Sequence, residues 1–269
     1  MKRICTFLLL LSLFSTSCHK DDHPAPKPQP TGKLKNIHEK NLPSPYYHFE
    51  YDGTGVLSKI NFSQGIAEYD LSYSGNNIVE MKNSTATNKD RIEYSYNNGE
   101  LAYIKIIDKN GVNYRRAFPT FTPAHQLETL TWEVKENNLS FREESSYRCT
   151  YYTNGNLRAI SRRIEAYGTQ PLISYMDIYE DYDTHPNVDA FSLLHPSQDH
   201  HLILLSGLTL QVNNARTVTR SGDAANYIIT YTYTYNSAGN PVNKTGDMRF
   251  ITGPEAGKHF EVTSSFEYY

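Results

Sequence analysis

Cysteine is scarce: three in 269 residues, at positions 5, 18 and 149. Cys5 lies inside an apolar opening stretch and Cys18 at its end, which leaves Cys149 alone for any folded part. No internal disulfide can form there, so a hydrophobic core must hold the fold unaided. Charge of one sign is also lacking, with 26 basic against 29 acidic residues. A mildly acidic chain carries no electrostatic footprint for nucleic acid or for an anionic lipid face. Gly-x-Ser-x-Gly is missing, and no glycine-rich phosphate loop follows a strand-like run, so the sequence offers no positive sign of an enzyme. The longest apolar run, Ile4–Phe14, would make about 16 Å of helix at ~1.5 Å per residue, too short to cross a bilayer.

That run has another meaning. Met1-Lys2-Arg3, a short apolar core and then small residues have the layout of a secretory signal peptide. Ser15-Thr16-Ser17-Cys18 resembles the lipobox of bacterial lipoproteins, with Ser15 in place of the commoner Leu, and the resemblance implies cleavage before Cys18 and lipid attachment to it. His19-Lys20-Asp21-Asp22 resembles the short tag that marks lipoproteins of Bacteroidetes-type bacteria for surface export. Without Lys2 and Arg3 the balance becomes 24 basic to 29 acidic residues. His23–Gly32 then carries prolines at 24, 26, 28 and 30, which fix φ and remove backbone donors, giving an extended spacer. The expected organisation is a signal peptide over 1–17, a lipidated and proline-rich stalk over 18–44, and a folded domain over 45–269. The expected location is the outer membrane, lipid-anchored and exposed at the cell surface.

The chain is rich in tyrosine, with 22 Tyr beside 11 Phe and one Trp. Tyrosine suits strands, where the ring packs on a pleated surface and the hydroxyl reaches water. Period-two alternation runs through the domain: Tyr227, Ile229, Tyr231, Tyr233 and Tyr235 share one face, Thr230, Thr232 and Thr234 the other. Leu130, Trp132 and Val134 likewise oppose Thr131, Glu133 and Lys135, which places Trp132 in the core. A strand, a glycine turn and a strand recur at Phe49–Ile60, Leu71–Val79, Tyr94–Ile104, Cys149–Ile160 and Tyr233–Val242. In the first three copies the last strand tyrosines, at 51, 73 and 96, are 22 and 23 residues apart, which accommodates two strands and two turns. The pattern Tyr-x-Tyr-Asp/Asn-x-x-Gly-x-Leu-x-x-Ile resembles a degenerate YD (Rhs-type) repeat. Together with the lipobox, the stalk and Tyr179–Asn187, it makes residues 45–269 similar to a Bacteroidetes lipoprotein family of unknown function. That resemblance implies a porin-like β-barrel and supplies no catalytic residues.

The expected fold is therefore all-β: an antiparallel meander of YD-like hairpins forming a soluble β-barrel or strongly curved sheet, with a short helix/loop insertion near 184–205. The insertion, with Pro186, Pro196 and apolar runs, is expected to plug one end of the barrel or cover an open edge. A membrane-spanning barrel is the alternative, disfavoured by hairpin strands shorter than the ~9–11 residues a bilayer requires.

Candidate site residues are few. His195, Asp199, His200 and His201 form the densest ligand-type cluster, but their spacing matches no zinc signature. Asp177, Glu180, Asp181 and Asp183 crowd four carboxylates into seven residues without the glycine of a calcium loop, so they read as a solvated edge or turn. Cys149 alternates with Tyr147 and Tyr151 and reads as a packed, unreactive strand residue. No catalytic residue, metal site or cofactor is assigned. The expected function is a non-enzymatic binding module for a glycan or a partner protein, with no nucleic-acid partner. Two alternatives stay open: a structural cell-envelope protein without its own ligand, and a hydrolase using carboxylates ~5–10 Å apart in a cleft.

Overall fold

The computed structural model describes residues 32–135, 140–195 and 199–269. Sixteen strands follow one another: β1 Leu34–Glu39, β2 Tyr47–Tyr51, β3 Leu57–Phe62, β4 Ala67–Ser74, β5 Asn77–Asn83, β6 Arg91–Asn97, β7 Glu100–Ile107 and β8 Asn113–Phe121. The second half is β9 Leu127–Lys135, β10 Phe141–Tyr151, β11 Leu157–Ile164, β12 Ile173–Pro186, β13 Asn213–Gly222, β14 Tyr227–Tyr235, β15 Pro241–Phe250 and β16 His259–Tyr268. Each pairs antiparallel with its sequence neighbours, and β16 returns to β1, so the meander closes into a barrel. The barrel thus begins at Leu34, which corrects the expected boundary at 45. Leu34–Glu39 sits beside the proline tract and has only Ile37 fully buried, so its membership depends on β16, 220 residues away, and not on its own pattern. The signal peptide, Cys18, the tag His19, Lys20, Asp21 and Asp22, and the prolines at 24–30 lie outside the described residues.

Turn chemistry fixes one rim. After β2, Gly55 takes φ 86°, and the Asp52 carboxylate accepts the backbone N–H groups of Thr54 (2.8 Å) and Val56 (3.0 Å). The turn after β14 repeats this with Gly239 at φ 81° and Asn236 accepting from Ala238 and Asn240, both at 3.0 Å. These are the left-handed glycine and side-chain-capped turn that a tight hairpin needs. A register shift follows at Tyr51, Tyr73, Tyr96, Phe121, Tyr151 and Tyr235. Near the end of seven of the eight even strands, a tyrosine hydroxyl donates to a backbone carbonyl on the preceding odd strand. Tyr51 reaches Leu34, Tyr73 Leu57, Tyr96 Ile78, Tyr151 Leu127, Tyr182 Leu157, Tyr233 Ala215 and Tyr268 Pro241, at 2.5–3.1 Å. Only β8 breaks the series, with Phe121 in the tyrosine's place. The recurrent tyrosines are therefore both wall and lock of the lower rim, where the described chain also starts and ends.

The two faces of the wall are unlike. Ile37, Phe49, Ile60, Met81, Ile104, Leu130, Trp132 and Ile160 point inward and are buried. Their neighbours point outward and carry charge: Lys59 pairs with Glu68 at 2.6 Å, Arg116, at the middle of β8, with Glu133 at 2.6 Å, and Arg91 with Glu93 at 3.0 Å. Basic side chains on a lipid-facing barrel surface cost ~2–4 kcal/mol each at the midplane, so a wall built this way faces water. The inward face is apolar because the lumen is full. Residues 187–195 leave β12 at the lower rim and climb inside as a short helix α1 (Ala190–Leu194), and residues 199–212, opening with a 3-10 turn (His200–Leu204), return to the lower rim at β13. With the barrel closed no edge is left to cover, and the insertion is a plug.

Candidate functional site

The plug is held first by asparagines, whose amides both donate and accept. Buried Asn156, on the β10–β11 turn, accepts the backbone N–H groups of Val212 (3.0 Å) and Asn213 (2.9 Å). Asn214, also buried, donates to Asp183, at 3.2 Å to either oxygen, and Asn187 donates to Asn214 at 3.0 Å. Higher up, Phe191 packs between Tyr47 and Phe49, with ring centroids 5.3 Å from each. Leu194 and Leu202 are fully buried, each worth about 1.5–3 kcal/mol. The main polar anchor is Asp199, fully buried: its carboxylate accepts from Trp132 Nε1 at 3.0 Å and from the Tyr147 hydroxyl at 2.6 Å. Arg115, stacked 3.9 Å over the Trp132 ring, approaches its other oxygen at 3.9 Å. Burial first, then Asp199, pushes the Tyr147 hydroxyl well above its usual range.

Between the plug and strands β12–β15 lies a polar chamber of about 100 Å³, lined by Asp177, Asp189, Arg220, Tyr227, Tyr231 and Lys244 among others. Two ion pairs frame it. Arg220 grips Asp177 with two parallel bonds, 2.6 and 2.7 Å, the fork geometry that suits a carboxylate. Arg220 is also flanked by the rings of Tyr175 and Tyr227, at 4.3 and 4.9 Å. Lys244 donates to Asp189 at 2.6 Å and lies 4.3 Å from the Tyr231 ring centre. Burial opposes its charge, but Asp189 and then the Tyr231 and Tyr233 hydroxyls hold Lys244 well above its ordinary range. Cross-strand register sets Ser264 beside Lys244 and Glu39 beside Ser264, all facing inward. Burial, then the charge of Asp189, raises the Glu39 carboxyl to about 7, against the lowering pull of Lys244 and of the 2.8 Å bond from Ser264. The other oxygen of Asp189 has no hydrogen-bond partner among the described residues. On a scale where one water needs ~10–15 Å³, the chamber takes several waters or one small polar group. It has no room for a polymer.

The structure sorts the sequence candidates sharply. His195, His200 and His201 do not converge: the His195 ring meets the Tyr46 and Tyr47 hydroxyls at 3.4 and 3.2 Å, His200 packs 4.5 Å from Phe62, and His201 lies 6.2 Å from Tyr94. Burial lowers His195, and burial with its neighbour His195 drives His200 down to about 4, so both pack as neutral rings. Among the described residues no three His, Cys, Asp or Glu side chains gather as metal ligands. Of the four clustered carboxylates, Glu180 is exposed and Asp181 accepts from Thr217 at 2.8 Å. Asp183 caps the lower rim, accepting from Asn214 and from the Tyr235 hydroxyl. Asp177, however, is buried and ion-paired, which corrects its reading as solvated. Cys149 is 3% exposed, with burial raising its thiol to about 12. Glu39, Asp189, Arg220 and Lys244 escaped the sequence reading. Lys244 and Arg220 did alternate with outward polar residues, at inward positions of β15 and β13, and that was the available signal.

No protein-family model matches the chain, and no curated protein matches it. Solved structures do. A porin-like protein from Bacteroides uniformis ATCC 8492 superposes with a TM-score of 0.60 at 13% identity, over 83% of this chain and 89% of that one. A porin-like protein from Bacteroides vulgatus ATCC 8482 gives 0.58 at 11% identity, over 88% and 99%. At these identities the likeness establishes the barrel fold, and an outer-membrane location is compatible with it.

Proposed function

We propose that the chain is a lipid-tethered, non-conducting barrel at the outer membrane, exposed at the cell surface, that works as a non-enzymatic binding module for a glycan or a partner protein. One observation carries the reading: apart from the small ion-paired chamber, the wall is apolar inward, and it is charged outward around a lumen filled by its own chain. Such a barrel has neither a lipid-facing band nor a channel, and its membrane contact is left to Cys18. The signal peptide, lipobox and export tag read from residues 1–22 support this, as does the resemblance of the hairpins to YD repeats in a Bacteroidetes lipoprotein family. The described chain begins at the lower rim, so a stalk there would hold the opposite rim and the wall away from the bilayer. Ion pairing of both chamber carboxylates, Asp177 and Asp189, supports a role without catalysis.

The test is membrane fractionation with Cys18→Ser. The wild-type chain should sediment with outer membranes and be shaved from intact cells by protease, while the variant is released as a soluble barrel. Planar bilayers given the wild-type protein should show no conductance. Retention of Cys18→Ser in the membrane, or ion current, would overturn the proposal. The filled lumen also favours a second reading, a structural envelope protein without a ligand. Saturable binding of any external glycan or protein separates the two.

A further inference from the structure

With the lumen closed to large ligands, the outer wall is the extended surface left to a binding module. Across β8–β12 its outward side chains form one row. Register sets Phe118 opposite Thr131, Thr131 opposite Ser146, Ser146 opposite Arg163, and Arg163 opposite Ser174. Tyr103 on β7 continues the row, its ring 5.1 Å from that of Phe118. Six strands at a spacing of ~4.8 Å make it about 24 Å long. On the β9–β13 side the wall is concave, a trough of about 740 Å³.

Three features of the row, and of the line of outward residues beside it, are open to a ligand. The Phe118 ring is 38% exposed although it meets Tyr103 and has the Arg116 guanidinium 5.3 Å from its centre. The hydroxyls of Thr131, Ser146, Ser161 and Ser174 make no hydrogen bond to protein among the described residues. Arg148, exposed and directly opposite Ser161, is diagonal to Arg163 on the neighbouring strand. It has no anionic partner among the described residues, whereas Arg163, 52% exposed, shares its charge with Glu165. An aromatic face and free hydroxyls in a line across parallel ridges, with a spare guanidinium beside it, suit a chain of sugar rings bearing acid groups. Aromatic faces stack on sugar rings, hydroxyls exchange hydrogen bonds with hydroxyls, and guanidinium forks grip carboxylate or sulfate. Rings of an extended glycan also recur at close to the strand spacing, so that successive rings meet successive strands.

We infer that this row is the bed of an extended anionic glycan, one ring stacked on Phe118 and its carboxylate or sulfate groups held by Arg148 and Arg163. The inference rests on the binding reading above and names the ligand class and the surface. The test uses the whole chain in detergent micelles, with polygalacturonate and heparin as carboxylated and sulfated probes and dextran as the neutral one. Affinity should be measurable for at least one acidic probe, weaken as salt rises, and be absent for dextran. Removal of both forks in R148A/R163A should cost at least about tenfold, since charged hydrogen bonds contribute ~1.5–3 kcal/mol and ~1.4 kcal/mol is tenfold. F118A should cost about fivefold. All three side chains lie outside the core, and unchanged thermal melting of the variants checks that the barrel is intact. Binding of dextran as tight as that of the acidic probes, untouched by R148A/R163A, would overturn the anionic bed while leaving the binding reading standing. No binding to any of the three would overturn the bed and the glycan half of that reading together.

Discussion

Replacing Glu39 with glutamine should make the barrel more stable at pH 8 and leave it little changed at pH 4. In the folded protein burial and Asp189 raise this carboxyl from 4.5 to about 7. Between those values the folded barrel keeps a proton that the unfolded chain has already released. Unfolding free energy therefore falls as pH rises through the window and levels off above about 7. At ~1.36 kcal/mol for each tenfold displacement of the proton equilibrium, the wild-type chain loses roughly 3 kcal/mol between pH 4 and pH 8 through this residue. Glutamine keeps an oxygen to accept from Ser264 and brings no charge toward Asp189. The assay is urea unfolding followed by tryptophan fluorescence, since the single Trp132 sits against the plug, at pH 4, 5, 6, 7 and 8 on both proteins. His200, driven down to about 4, gives a slope of opposite sign, but both proteins share it. The readout is thus their difference, which should open from near zero to roughly 3 kcal/mol in favour of the variant. A difference constant with pH, or one favouring the wild type at pH 8, would refute the placement of Glu39 beside Asp189 in a largely buried site.

Asp199→Ala should destabilise by about 2–5 kcal/mol, because it strands the buried donors of Tyr147 and Trp132 at ~1–3 kcal/mol each, while Arg115 keeps Glu144 at 2.6 Å; limited proteolysis should then cut first within 187–212. Phe121→Tyr should restore the missing rim bond to the neighbouring odd strand and add up to ~1 kcal/mol, whereas Tyr96→Phe should remove about as much; chemical denaturation measures both. Cys149, with its thiol raised to about 12, should resist thiol reagents at pH 8 in the native barrel and react fully in denaturant.

The wall was readable because it is made of local rules. Asp52 to Gly55 and Asn236 to Gly239 announce hairpins through their own turn chemistry, and alternation at 227–235 fixes which side chains share a face. What alternation cannot say is which face is inside, since a barrel with lipid outside and one with a packed lumen use the same period. Here Lys59, Arg116 and Glu133 settle it only once their outward direction is known. Leu34–Glu39 was lost to the stalk because its partner lies at the far end of the chain. The chamber was invisible for the same reason: Glu39, Lys244 and Asp189 come from two distant strands and the plug, and Asp177 meets Arg220 across 43 residues. The plug itself was legible as a break in rhythm, but its anchoring by Asp199 was not, because acid and histidine in one loop suggest ligands as readily as packing.

The join between β1 and β16 has a consequence for how the molecule comes into being. Tyr269 N–H bonds to the Lys33 carbonyl at 3.0 Å, so the first and last described segments meet at one seam. Until residues 259–268 find β1, the growing sheet carries two unpaired borders, each able to recruit a strand from another chain. Joining them means closing a loop of more than two hundred residues, an entropic step that short-range hairpins cannot assist. The barrel is thus a structure that can be finished only from its ends, and a chain shortened by its final strand would be left as an open, self-associating sheet around a plug with nothing to seal.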